Sequence, residues 1–549
     1  MRSAYCYLVQ SIVDFVEDYV FAIEPPEEQF NEKHSNVPVP RLPTECMQEI
    51  FKNIKAQGSR LYPCLLVNRY WCKNVVHLLW SHPFVEDLLP VNRCKLIHTY
   101  LACLDRQENL GLNSLLRHYN IEIPETRQPI FNYAMWLEEF SYKQLEMAVH
   151  STIHIWCNKT FTSRHKEDQI LLITTTLCKL FMRQSNSLKS FIIDKYFSHS
   201  DIPQVSTFAF TQPGLSQLTR FQIDYSKPMT INTIQLVESL PALCSNILCL
   251  DIKFHKYEYN LDMNKAISRI IRTQKGLTEF HISGIINSEE ILLSLPSRES
   301  LNTIQLEHVY ITESGFDALA RCKKLSHLSL WDCKGFVMEN NTSVLQSKFS
   351  LSKLKLGLSS SCNKAGLILH VGGSSLKELE IDLINPEIVE TILNVCSYVE
   401  RLKLVNLPFD DDDHDDVTLF HSLFSGLYLE KLEIFTDSKN SAYKHLRVSG
   451  QVLPPSLKYL KLKCGFTLER LNELFKTCVA PLETIIVDYL GWDYNHLKVI
   501  TRFIKNKKSV KVLGIARMDH MTPQEVKELK ILKKRYGVFI IPSHELDLW

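Results

Sequence analysis

The chain has 549 residues, 45% of them hydrophobic and 22% charged, and a formal net charge of +1. That length exceeds one compact core and fits several domains or an extended repeat array, while the near-neutral balance excludes the strongly basic footprint of a nucleic-acid binder. The sixteen cysteines are scattered through apolar patterns without any CxxC. They read as reduced small hydrophobes of an intracellular, cytoplasmic or nuclear protein, rather than as a disulfide scaffold or a structural zinc module. Residues 1–37 include "AYCYLVQSIVDFVEDYVFAI", whose acidic Asp14, Glu17 and Asp18 fit neither a signal peptide nor a membrane span. Leu8, Ile12, Val16 and Val20 fit a short amphipathic helix, and the polar, proline-rich "EPPEEQFNEKHSNVPVP" fits a linker.

The next segment, residues 38–84, predicts three helices. In "RLPTECMQEIFKNI" Pro43 stands at a first-turn position where a missing N–H costs nothing, and Glu45 faces the positive helix end. Met47, Ile50, Phe51 and Ile54 then recur at helical spacing. Leu61, Leu65, Val67, Trp71, Val75, Leu79 and Trp80 are spaced for two further short helices that Pro83 stops. Residues 42–84 lie near the size, roughly 40 residues, below which a domain usually needs disulfides, a metal or a partner. With neither a disulfide nor a metal pattern, a partner is expected.

These residues resemble the F-box, whose pattern opens with Leu-Pro-x-Glu, carries an apolar helix and continues through Leu-x-Val-x-x-x-Trp to a terminal tryptophan. The matching positions are Leu42, Pro43, Glu45, Ile50, Leu65, Val67, Trp71 and Trp80. The resemblance implies that they dock on a Skp-type adaptor and, through it, on a cullin. A helical cap that shields the end of the downstream array is the alternative.

Residues 85–187 carry helical patterns such as "NYAMWLEEFSYKQLEMAV" and are expected to form a spacer that sets distance and angle. His150 and His154 stand four apart, but Ser151 replaces the glutamate of an HExxH motif and no third ligand is evident. No metal site is expected.

From residue 188 to 549 one pattern recurs. Leu325-x-x-Leu328-x-Leu330 reappears as Leu301/Ile304/Leu306, Leu351/Leu354/Leu356, Leu376/Leu379/Ile381, Val399/Leu402/Leu404, Leu429/Leu432/Ile434, Leu457/Leu460/Leu462, Leu482/Ile485/Val487 and Val510/Leu513/Ile515. Looser copies begin at Leu188, Leu218, Ile247 and Leu277. Each copy reads as a short strand with one buried face, followed by a helical stretch such as "EIVETILNVC" or "RLNELFKTC". Stacked units of that kind predict an α/β solenoid with parallel strands on its concave face and helices outside. The stretch "CKKLSHLSLWDC", with Cys322 and Cys333 flanking its leucines, resembles the cysteine-containing leucine-rich repeat. Cys244 and Cys396 match the first half of that pattern. The "DDDDHDD" of residues 410–416 lacks the glycine and spaced oxygens of a calcium loop and is expected to be a solvated connection. Near the end, Thr522-Pro523-Gln524-Glu525 is a capping box and Gly537 a helix stop.

Strand alternation places Lys353/Lys355, Glu378/Glu380/Asp382 and Arg401/Lys403 on the outward face, where facing charges are expected to pair with each other. Trp331, Phe435 and Tyr459 lie on the same face and are the expected target-binding residues. No GxSxG or GxxxxGK[ST] occurs, and no catalytic or cofactor-binding residue is expected. The F-box resemblance, joined to the repeats, implies a non-enzymatic substrate receptor for ubiquitin-dependent degradation. The alternative is a repeat scaffold that works independently of any ligase. Neither nucleic acid nor membrane is an expected partner.

Overall fold

Proline and asparagine set the ends of the first helices. The computed structural model describes residues 42–56, 61–85, 88–119, 121–124, 128–157, 166–194, 201–209, 214–224, 230–254, 261–284, 288–335, 349–357, 365–382, 384–405, 415–435, 449–464, 466–488, 493–516 and 521–542. Helix α1 (Thr44–Ala56) starts with the Met47 N–H bonded to the Pro43 carbonyl at 3.1 Å. A single turn, α2 (Tyr62–Leu65), tolerates Pro63 near its start, and α3 (Arg69–Trp80) is capped by the Asn68 side chain, which accepts from the Trp71 N–H at 2.9 Å. The three predicted helices of residues 42–84 are therefore present. The expected N-terminal helix and linker, and residues 410–414 of the acidic run, lie outside the described residues.

The chain divides into two units, Met1–Leu277 and Thr278–Trp549. In the first unit, helices α4 (Pro90–Ala102), α5 (Arg106–Arg117), α6 (Tyr142–Trp156) and α7 (Lys166–Gln184) follow the small helical module. Four strands, β1 (Glu139–Ser141), β2 (Ser190–Asp194), β3 (Arg220–Asp224) and β4 (Cys249–Lys253), pair in parallel in that order. Strand β1 falls inside the predicted spacer. Phe140 within it and the flanking Leu137 and Tyr142 are buried, and Phe140 pairs in register with Phe191 of β2, so this is one more copy with aromatics in place of leucines. Ser141 caps α6 from the end of β1, and Asp194 at the end of β2 accepts from the Ser141 hydroxyl at 2.7 Å and the Lys143 N–H at 3.1 Å. The repeat joint and the helix start are thus one hydrogen-bonded unit.

The second unit contains β5 (Glu279–Ser283), β6 (Thr303–Glu307), β7 (Tyr310–Ile311), β8 (His327–Trp331), β9 (Lys334–Gly335), β10 (Lys353–Gly357), β11 (Glu378–Ile381), β12 (Arg401–Val405), β13 (Lys431–Phe435), β14 (Tyr459–Lys463), β15 (Thr484–Val487), β16 (Val512–Ile515) and β17 (Phe539–Pro542). All but β7 and β9 form one parallel succession in chain order, and β7 and β9 pair with each other. Every repeat position named from the sequence is buried, Leu328, Leu379 and Leu402 included. In register, Leu328 faces Leu354, Leu379 faces Leu402 and Leu402 faces Leu432, so each strand adds a rung to a continuous aliphatic core. The fold is a leucine-rich-repeat α/β solenoid.

Two further devices hold the repeats. The Cys333 thiol donates to the Leu306 carbonyl of the preceding strand at 3.3 Å, which satisfies a buried acceptor between repeats. Strands β5, β6 and β8 each end in a left-handed residue, Gly284, His308 and Asp332, with φ of 86°, 53° and 47°. His308 N–H donates to the Trp331 carbonyl at 2.9 Å, and its Nδ1 lies 2.7 Å from Asp332 Oδ2. The last helix, Pro523–Tyr536, has the predicted Thr522/Glu525 capping box and ends at Gly537 with φ 70°.

Candidate functional site

Two surfaces in separate units carry the candidate residues. In the helical module, Met47, Phe51 and Leu65 turn inward, and the Phe51 and Trp71 rings meet edge to face with centroids 5.3 Å apart. Leu42, Ile50 and Val67 remain 52%, 43% and 54% exposed, and Pro43 and Glu45 are also exposed. The Tyr70 hydroxyl donates to the Leu42 carbonyl at 2.7 Å, which draws Leu42 to the start of α3, just after the exposed Leu66 and Val67. Trp71 is half-buried. Trp80 is only 4% exposed, its ring tilted against Tyr133 at 4.1 Å and edge-on to Tyr100 at 5.5 Å. Of the eight F-box-like positions, Leu65 and Trp80 therefore lie in the chain's own core.

The same end of the module is tied by polar bonds. The Lys55 ammonium donates to the Leu78 carbonyl at 2.8 Å and to Ser81 Oγ at 3.1 Å, closing the C-terminal end of α3. Burial lowers the Lys55 pKa, with the nearby Glu138 charge acting against the shift. The Ser81 carbonyl in turn accepts from the Glu138 and Glu139 N–H groups at 2.9 and 3.2 Å.

In the second unit, strands β10 to β14 line a groove of about 520 Å³. Its charges are paired across strands, as expected. Glu378 accepts from Lys353 at 3.2 Å and Arg401 at 2.6 Å, and Glu380 from Lys355 at 3.3 Å and Lys403 at 3.1 Å. Burial raises the Glu378 pKa, but hydrogen bonds and charge from Lys353 and Arg401 outweigh it and hold the carboxyl below its ordinary value. Trp331, Phe435 and Tyr459 are half-buried, and each ring carries an ammonium. Lys355 lies 4.5 Å from the Trp331 ring centroid, Lys403 4.7 Å from Phe435, and Lys431 4.4 Å from Tyr459. The aromatics, expected to be exposed, are half-buried, and each bears a lysine ammonium over its ring. Alternation also predicted an exposed Lys461, which is 1% exposed; the ring centroid of Phe435, on the preceding strand β13, lies 5.3 Å from its Nζ.

Among the described residues no three His, Cys, Asp or Glu side chains gather in a metal-holding arrangement. His150 is pushed down to about 4 by burial, with Lys166 and His154 adding to the shift. Among the described residues no helix is long and apolar enough to cross a membrane.

No protein-family model and no curated protein matches the chain. Solved structures with similar folds include the TLR13–ssRNA13 complex, at 14% identity and a TM-score of 0.30, covering 61% of this chain and 48% of that one, so the chain spans about half of that protein. The leucine-rich repeat protein LegL7 of Legionella pneumophila is 12% identical with a TM-score of 0.31, over 60% of this chain and 94% of that one. The yeast Rad7–Elc1 complex structure is 13% identical with a TM-score of 0.35, over 93% and 100%. The repeat register defines a leucine-rich-repeat solenoid whose strands β10 to β14 carry the outward groove.

Proposed function

We propose that the chain is a substrate receptor of a cullin-based ubiquitin ligase, with residues 42–84 docking on a Skp-type adaptor and the repeats holding the target protein. The observation that carries this reading is the division of labour inside the module. Met47, Phe51 and Leu65 fill its core, whereas Leu42, Ile50, Leu66 and Val67 stay in water. Large apolar side chains left exposed on so small a module are what a docking surface needs. The chain itself carries out no covalent step. It raises the effective concentration of the target near the charged enzyme.

A second reading, a ligase-independent scaffold with a helical cap, is favoured by Trp80, whose burial against Tyr100 and Tyr133 roots the module in its own chain. Co-expression of the full chain with a Skp-type adaptor, followed by size-exclusion chromatography with light scattering, separates the two. A stoichiometric complex is expected. A chain that elutes alone removes the ligase reading and leaves the scaffold.

A further inference from the structure

Charge in the second unit is sorted by helix. The helices Glu289–Ser294, Glu313–Ala320 and Pro386–Val395 each carry two carboxylates and no cation. The helix Tyr494–Lys507 carries Lys498, Arg502, Lys505 and Lys507 and no carboxylate. The last helix, Pro523–Tyr536, carries Lys527, Lys530, Lys533, Lys534 and Arg535 against Glu525 and Glu528. Both of those carboxylates are committed: Glu525 accepts from the Thr522 N–H at 2.7 Å in the capping box, and Glu528 accepts from Lys505 at 3.2 Å. The other cations of the two helices are all exposed, and none has a carboxylate within ion-pair distance among the described residues. The whole-chain charge of +1 therefore conceals a local basic surface, because the compensating acids lie on other elements.

Helical spacing gathers these cations into two ridges. Lys498, Arg502 and Lys505 recur at i, i+4 and i+7, away from the buried Ile500 and Ile504. Lys527, Lys530 and Lys534 recur at i, i+3 and i+7, away from the buried Leu529 and Leu532. The Lys505–Glu528 pair sets the two helices side by side, so the ridges share one surface. Each ridge is about 10 Å long at 1.5 Å per residue, a length in which a nucleic-acid duplex presents roughly six phosphate charges. Lysine dominates the surface, whereas protein interfaces are depleted in lysine and enriched in arginine and aromatics. No aromatic stands on either ridge to stack a single-stranded base. Val526 and Ile531 of the last helix are each only 36% exposed, short of the broad apolar face with which an amphipathic helix enters a membrane surface.

We propose that this surface binds the phosphate backbone of a nucleic-acid duplex without reading its sequence. Lys498, Arg502, Lys527, Lys530 and Lys534 make the contacts, releasing condensed counterions from the duplex. Lysine ammoniums on flexible stems follow phosphates in varied positions, which suits backbone contact and not base readout. None of these residues lines the strand groove, and the proposal rests on neither the ligase reading nor target binding by the groove. The near-neutral total argues against a chain that is basic throughout; the duplex site is a property of two helices.

The test is fluorescence anisotropy of a labelled DNA duplex titrated with the full chain, repeated between about 50 and 200 mM salt. The logarithm of the binding constant should fall linearly with the logarithm of the salt concentration, and a second duplex of unrelated sequence should bind equally well. Lys527→Gln with Lys534→Gln should weaken binding about tenfold or more and reduce the salt slope by roughly 1.8, the share of two phosphate contacts. Lys323→Gln with Lys324→Gln removes the same charge from exposed positions elsewhere in the unit and should change neither quantity. Both paired variants should melt with wild type, since all four side chains are exposed. Absence of duplex binding at the lowest salt, an equal loss in the Lys323/Lys324 variant, or an unchanged slope in the Lys527/Lys534 variant would overturn the proposal. So would tighter binding of a polyglutamate peptide or of phosphatidylserine-containing vesicles, which would give the surface to an acidic protein or to a membrane.

Discussion

Gly357 lies directly beneath the indole of Trp331, so close that a Cβ there would come within 2.3 Å of the ring atom Cε3. The two residues face each other in register on β8 and β10, and the ring that Gly357 admits is the one that carries Lys355. A side chain at 357 must push the indole off the sheet. Gly357→Ala should therefore cost about 1–3 kcal/mol by overpacking and should shift tryptophan emission relative to wild type, with no such shift when Trp331 is already Phe. An unchanged melting curve and spectrum would contradict the placement of Trp331.

Leu402 is a rung of the core, buried between Leu379 and Leu432. Leu402→Ala should lose about 2–5 kcal/mol, and Leu379→Asp should unfold several neighbouring repeats because nearest-neighbour interfaces carry solenoid stability. Chemical denaturation followed by circular dichroism reads both. A soluble Leu379→Asp protein with wild-type melting would refute the repeat register.

The Glu378 carboxyl is held below its ordinary value of 4.5 by Lys353 and Arg401, which prevail over burial. A depressed folded-state pKa means that the stabilisation is present above the unfolded value and lost as pH falls through the folded one. Glu378→Gln should thus be less stable than wild type at neutral pH. The difference should shrink as the solution is acidified below pH 4.5. A gap that stays constant down to the acid limit would show that the cross-strand pairing does not act through charge.

Trp80 joins the helical module to the residues after it by packing tilted against Tyr133 and edge-on to Tyr100. Trp80→Ala should cost about 3–5 kcal/mol and raise hydrogen exchange across residues 44–80 while leaving the strands from β10 to β14 protected. Uniform loss of protection along the chain would mean that the module is not a separable element.

The aliphatic pattern made the strands legible from sequence, since Leu-x-x-Leu-x-Leu has one structural meaning when it recurs at a steady period. The Thr522/Glu525 box and Gly537 were legible for the same reason, as local chemistry with a single use. Strand β1 escaped because Phe140 and Tyr142 replaced the leucines. The strand-end turns escaped because Gly284, His308 and Asp332 share a backbone conformation and no side-chain type. Burial of Lys461 and occupation of the Phe435 and Tyr459 rings depend on neighbours from adjacent strands, which alternation along one strand does not report. In the module, helical spacing found the apolar residues but did not divide them. Phe51 and Leu65 face inward and Ile50 and Val67 outward, and that division is the part on which docking depends.

The docking role of residues 42–84 is tested most directly by isothermal titration of a Skp-type adaptor into the full chain, wild type against Ile50→Asp and Val67→Asp. Both side chains are exposed, so each variant should melt with wild type, and each should weaken the adaptor by about 30-fold or more, as expected for an anchor at the centre of an interface. Wild-type affinity in both variants, with folding intact, would contradict docking through this face.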